Sequence, residues 1–180
     1  MEKLAPFYLE NDDFEIHSLG IVETQNSDKL ADELFELLGN DDILKYCPEM
    51  KIGTREEVGS YISGWEQGFQ TDTQYSYFIY WKKKNSVIGE IVLLPPSKVK
   101  EEYNIEGVWL VQYVLNKRFQ DHGIMTSMLR MVLNHLKGKV NKVGAICDAE
   151  NIASVRILKN LNFKNLKKDG VDVEYYELNL

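Results

Sequence analysis

The chain has 180 residues, 44% of them hydrophobic and 27% charged, with a formal net charge of −7. That describes a globular protein with enough interior for one domain core, and its acidic balance argues against nucleic acid as a partner, since no phosphate-neutralising surface is apparent. No apolar run is long enough to span a bilayer, and "MEKLAPFYLENDD" lacks a basic-then-apolar secretory start, so no membrane partner and a cytoplasmic location are expected.

Along the chain, "FEIHSLG" from Phe14 to Gly20 alternates apolar and polar residues and reads as a half-buried strand. "SDKLADELFELLGND" reads as a helix with Ser27 as N-cap, an apolar face at Leu30, Leu34, Leu37 and Leu38, and a Gly39-Asn40 close. "GTREEVGSYISGWEQGF" opens with Thr54 and Glu57 at capping-box spacing and presents Val58, Tyr61, Ile62, Trp65 and Phe69 on one face. "YSYFIYWKKKNSVIGEIVLL" is two strands around a Lys-Asn turn, and two prolines stop the second. "PPSKVKEEYNIEG" reads as a polar loop. "VWLVQYVL" is apolar enough to be a central strand. A helix rich in methionine and leucine follows it, then a buried strand "KVGAICDA", a helix "NIASVRILKNLNF" and a last strand in "VDVEYYELNL". The order is that of a mixed α/β domain, and its second half is a strand-helix-strand unit whose two strands should run parallel through a right-handed crossover.

The chemistry concentrates where "VWLVQYVL" feeds its helix through "NKRFQDHG". A helix that starts just after a buried strand presents unpaired backbone N–H groups and the positive end of its dipole, and anions bind there readily. Gly123 removes a Cβ where a phosphate would approach, and Thr126 and Ser127 add hydroxyls. The alternative is a glycine that only eases a tight turn. Neither GxxxxGK[ST] nor GxGxxG occurs, so nucleoside-triphosphate and dinucleotide readings lack their glycines. Cys47 and Cys147 are single and far apart, and the three histidines fall at no ligand spacing, so neither a disulfide framework nor a metal site is expected.

Two segments together carry a family resemblance. "YVLNKRFQDHGIMTSML" resembles the acyl-CoA-binding segment of the GNAT N-acetyltransferases, Gln/Arg-x-x-Gly-x-Gly/Ala. "ENIASVRILKNLNF" is similar to their Asn-x-x-Ser/Ala segment, and "EYYELNL" to their last strand. The resemblance covers about residues 14–180, and its opening elements look most like the branch that includes ribosomal-protein N-terminal acetyltransferases. It implies a single GNAT-like α/β domain, with a mixed, mostly antiparallel sheet, a central splayed parallel strand pair and flanking helices.

It also implies an acetyl-CoA-dependent N-acetyltransferase that needs no metal and acts on a primary amine, either a protein N-terminus or a small amine. Gln120, His122, Gly123, Ile124, Met125 and Thr126 would form the pyrophosphate cradle, mainly through backbone N–H groups. Tyr113, Val114 and Leu115 would line the pantetheine arm, Asn151 would hydrogen-bond that arm, and Ser154 would protonate the leaving thiolate. Leu158 stands where many members carry a tyrosine acid, and Leu110 where the ribosomal branch often has a glutamate. Glu106 and Gln112 are then the nearest polar candidates for a base, with Glu106 favoured. The vacant positions leave a second reading, a non-catalytic acyl-CoA-binding module that regulates or scaffolds a partner. A homodimer is compatible with the resemblance, and nothing in the sequence fixes the oligomeric state.

Overall fold

The computed structural model describes residues 3–18, 27–166 and 173–180. Their strands are β1 (Tyr8–Glu10), β2 (Phe14–His17), β3 (Tyr75–Trp81), β4 (Ser86–Leu94), β5 (Trp109–Leu115), β6 (Lys142–Asp148), β7 (Lys164–Asn165) and β8 (Val173–Asn179). The helices are α1 (Ser27–Leu38), α2 (Val58–Thr71), α3 (Pro96–Tyr103), α4 (Ile124–Leu136) and α5 (Ile152–Asn160). The strands hydrogen-bond in the order β1-β2-β3-β4-β5-β6-β8-β7. Pairing is antiparallel in β1–β2, β2–β3, β6–β8 and β7–β8 and parallel in β5–β6, which gives the expected mixed α/β architecture. Two compact units can be distinguished: Met1–Val92 with Tyr113–Phe119, and Leu93–Gln112 with Gln120–Leu180.

In the first unit, α1 buries Leu30, Leu34, Leu37 and Leu38, the face that its periodicity marks. The expected cap by Ser27, and the last two residues of "FEIHSLG", lie outside the described side chains and residues. Thr54 and Glu57 do form a capping box, but the first turn, Arg55–Glu57, is a 3-10 turn before α2 proper begins. Trp65 from α2 meets Phe78 of β3 edge-on at 4.7 Å. Phe69 meets Tyr75 in the same manner at 5.0 Å, so α2 is held to β3 by aromatic packing. The short strand β1, which pairs with β2, was not foreseen.

In the second unit one expectation fails. "PPSKVKEEYNIEG" is not a loop throughout, because Pro96–Tyr103 is helical, with a proline in its first turn and a left-handed Asn104 at its end. Pro is well suited to the first turn, where its missing N–H has no partner to lose. The segment reads as polar because the helix buries only Pro96 and Val99. Its exposed face is instead laced by Lys98 to Glu101 at 3.2 Å and Glu102 at 3.1 Å. α4 buries Met125, Met128, Leu129, Val132, Leu133 and Leu136. β6 pairs with β8 along its whole length. The parallel β5–β6 register, in contrast, spans two residue pairs, Trp109–Val143 and Leu110–Gly144. The second short strand that the sequence did not announce, β7, pairs with β8 at Lys164 and Asn165.

Candidate active site

In the second unit, Gly123 stands at the N-cap of α4 with φ +73 and ψ 5, a left-handed conformation that costs other residues roughly 1–2 kcal/mol. The turn geometry therefore calls for glycine whatever else sits there. A second observation goes further: a Cβ built on Gly123 meets no atom within 4 Å. Gly123 itself has no side chain with which to cap the helix, and a helix N-terminus presents first-turn N–H groups that have no intrahelical partner. Asp121 is also left-handed, at φ 61. Gln120, His122 and Gly123 are exposed, Ile124 and Thr126 half-buried, and Met125 buried. The Met125 side chain thus points inward and leaves its backbone as the part available at the turn.

On α5, the Asn151 carboxamide oxygen accepts the Ser154 backbone N–H at 3.1 Å. Asn151 is therefore the cap of this helix, and the cap occupies its oxygen rather than its NH2 group. The Ser154 side chain hydrogen-bonds the Cys147 thiol of β6. That thiol donates to the Asp148 carbonyl at 3.2 Å, and burial, partly offset by Ser154, pushes it above its ordinary titration range. A protonated thiol is a poor nucleophile. Asn162 adopts φ 64 after α5, a left-handed conformation that asparagine tolerates better than most residues. Leu158 is fully buried.

Glu106 lies in the same unit, on the surface before β5. It pairs with Lys100 at 2.7 Å, and its side chain is 72% exposed. The Lys100 hydrogen bond, with its charge, holds the carboxyl below the usual carboxylate range, which weakens it as a proton acceptor.

In the first unit, Tyr113 is half-buried, and Val114 and Leu115 are buried. The end of β5 runs beside β4: the Asn116 N–H donates to the Ile88 carbonyl at 2.7 Å. A Cβ on Gly89 would meet the Val114 oxygen at 2.8 Å, so only glycine permits this approach. Asn116 donates through Nδ2 to Glu36 of α1 at 3.2 Å, and its Oδ1 accepts from the Arg118 N–H at 3.1 Å. These bonds fix the chain leaving β5.

A family model for the acetyltransferase (GNAT) domain matches residues 19–164. The chain belongs to the GNAT acetyltransferase family. Solved structures that this acetyltransferase resembles include the ribosomal-protein-S5-alanine acetyltransferase from Vibrio fischeri. The two share 11% identity, with 96% of each chain covered and a TM-score of 0.72. RimL, a ribosomal L7/L12 alpha-N-protein acetyltransferase solved in complex with coenzyme A, shares 18% identity, with 94% of this chain and 96% of that chain covered and a TM-score of 0.69. The microcin C7 self-immunity acetyltransferase MccE, in complex with acetyl-CoA and AMP, shares 17% identity over 94% of each chain, with a TM-score of 0.71. These likenesses are to the fold. No curated protein matches the chain by sequence.

Among the described residues, no group of three or more His, Cys, Asp or Glu side chains could hold a metal ion, and no helix is long and apolar enough to cross a membrane. One residue of this acetyltransferase escapes the sequence reading altogether. Glu90, in the middle of β4, is 1% exposed, and its Oε1 has no hydrogen-bond partner. Burial pushes the carboxyl from an ordinary 4.5 up to about 8, against an opposing hydrogen bond from Ser76. The signal was present in "VIGEIVLL", a carboxylate inside an otherwise apolar strand run.

Proposed function

We propose that this protein is a cytoplasmic enzyme that moves the acetyl group of acetyl-CoA to a primary amine, a protein N-terminus or a small amine. The observation that carries the reading is the α4 turn, a left-handed N-cap glycine with open space where its Cβ would stand. Anions bind readily at such helix N-termini. The backbone N–H groups of Gln120, His122, Gly123, Ile124, Met125 and Thr126 hold the pyrophosphate in this reading. Tyr113, Val114 and Leu115 line the pantetheine arm, and Asn151 supplies its side-chain NH2, which helix capping does not use. Relatives whose names specify ribosomal-protein acetylation support an N-terminal amine as acceptor.

The amine attacks the thioester carbon as a neutral group, its nitrogen forming the amide bond as the C–S bond breaks. The oxyanion formed on the way needs an N–H donor, and the thiolate leaves with a proton. In this reading Ser154, whose hydroxyl hydrogen-bonds the Cys147 sulfur, gives that proton and regains one from the nitrogen as the amide forms. No covalent enzyme intermediate is required, because a thioester reacts well with amines.

Calorimetry with acetyl-CoA in the presence of a chelator should show saturable binding, and thiol release with a panel of primary amines should show turnover. No heat and no thermal shift at millimolar acetyl-CoA would overturn the reading; binding without turnover on any amine would favour a regulatory acyl-CoA-binding module. Ser154→Ala should lower kcat by about a hundredfold, the low end for general-acid assistance since a thiol leaves readily, with acetyl-CoA affinity within a few fold. The Asn151 cap uses the Ser154 backbone, so the melting loss should stay near the roughly 1 kcal/mol of one side-chain hydrogen bond. Equal kcat in the two proteins would leave water as the proton source.

A further inference from the structure

We infer that Glu90 takes up the proton that the acceptor amine must lose, received at its unpartnered Oε1, with Ser76 as the residue that positions the carboxyl. The inference rests on the acetyl-transfer reading above and assigns a proton acceptor within it. A buried carboxyl in a strand is ordinarily hydrogen-bonded at both oxygens, since an orphaned buried acceptor loses its hydration without replacement. Glu90 departs from that pattern at Oε1.

One side of the carboxyl is fixed. The Gln74 Nε2 donates to the Ser76 Oγ at 2.9 Å, and the Ser76 hydroxyl hydrogen-bonds Glu90. The other side, Oε1, has no partner. A merely structural acid gains nothing from leaving one buried oxygen without a partner, whereas a proton acceptor needs an atom free to accept, directly or through one water.

Position supports the role. Glu90 follows Gly89, the residue whose close approach to the Val114 oxygen seats β4 beside the segment assigned to the pantetheine arm. α2 supplies Tyr61, which is half-buried and whose hydroxyl donates to the Lys51 carbonyl at 2.9 Å. Burial chiefly, then the charges of Glu90 and Glu57, raises the tyrosine above its ordinary range. Of the groups acting on Glu90, β3 contributes the uncharged Ser76, and no lysine or arginine contributes.

With its carboxyl near 8, Glu90 is matched to proton transfer from an amine close to neutral pH. Proton bookkeeping closes: the carboxylate and the ammonium become the carboxylic acid and the neutral amine. The amine then forms the amide as the C–S bond breaks, the second proton of its nitrogen ends on the departing sulfur, and the acid returns its own proton to solvent. Glu106, surface-exposed and held low by Lys100, offers none of these features.

The experiment is kcat/KM against pH from 6 to 10, using whichever primary amine the wild-type protein turns over, with acetyl-CoA affinity and melting followed in parallel. Wild type should rise through an apparent pKa near 8. Glu90→Gln should fall by about a hundredfold or more and lose that limb, while acetyl-CoA affinity stays within a few fold. Ser76→Ala removes a hydrogen bond that lowers the carboxyl, so the limb should move to higher pH with Glu90 still in place. This second variant keeps the test open where Glu90→Gln folds poorly. Turnover by Glu90→Gln equal to wild type, or a limb that neither variant moves, would overturn the assignment. A wild-type protein that acetylates no amine would instead overturn the reading on which it rests.

Discussion

Gly123→Asp should weaken acetyl-CoA binding by about fivefold to 150-fold more than Gly123→Asn does. The two side chains have nearly the same shape, and both occupy space that is empty in front of α4. Both also accept the left-handed conformation that Gly123 adopts better than most residues do, because their short polar side chains bond locally. Their fold penalties should therefore cancel in the comparison. What remains is a carboxylate set against a bound phosphate, a like-charge contact of roughly 1–3 kcal/mol, which converts to the stated range at tenfold per 1.4 kcal/mol. Calorimetry on the two folded variants reads the difference. If they bind acetyl-CoA equally well, the glycine serves only the turn, and the anion site lies elsewhere.

How much of this was legible in the sequence depended on what each segment buries. α4 and β6 declare themselves through runs of apolar residues at helical or strand spacing, and the glycine between β5 and α4 marks the turn. α3 was misread for a physical reason: it buries two residues and keeps the rest in water, so it shows almost no apolar periodicity. Only the Pro95-Pro96 start and the spacing of Lys98 from Glu101 and Glu102 could have exposed it. Asn116 reads as an ordinary loop residue, and its bonds to Ile88 and Glu36 join positions 28 and 80 residues apart in the chain, which local pattern cannot show. Asn151 caps α5 through the Ser154 N–H, and no local pattern shows that the Ser154 hydroxyl turns to Cys147. Glu90 was hidden by a reasonable habit. Alternation rules place a lone carboxylate on a strand at the solvent face, and burial of both faces of β4 removes that option.

Stability should fall as pH rises from about 4.5 to about 8, and Glu90→Gln should abolish most of that fall. Glu90 keeps its proton in the folded chain up to about 8, whereas the unfolded chain releases it near 4.5. Between those values the folded state binds more protons, so raising the pH favours unfolding. The contribution is fully present below 4.5 and is lost as pH passes through 8. A displacement of that size corresponds to on the order of 4–5 kcal/mol, a large share of the 5–15 kcal/mol typical of a whole domain. Other groups act elsewhere or in the opposite sense. Tyr75, Tyr77 and Tyr80 are raised by burial, so their effect begins only near pH 10. His135 is held low by burial and Lys139, so it adds stability as pH rises toward its ordinary 6.5. Glutamine is neutral and nearly isosteric with the protonated acid, so the variant should match wild type near pH 5 and melt above it at pH 8.5. Urea unfolding at both pH values measures the gap. Parallel pH profiles for wild type and Glu90→Gln would mean that Glu90 is ionised in the folded protein, and the open Oε1 would then need a cation rather than a proton to satisfy it.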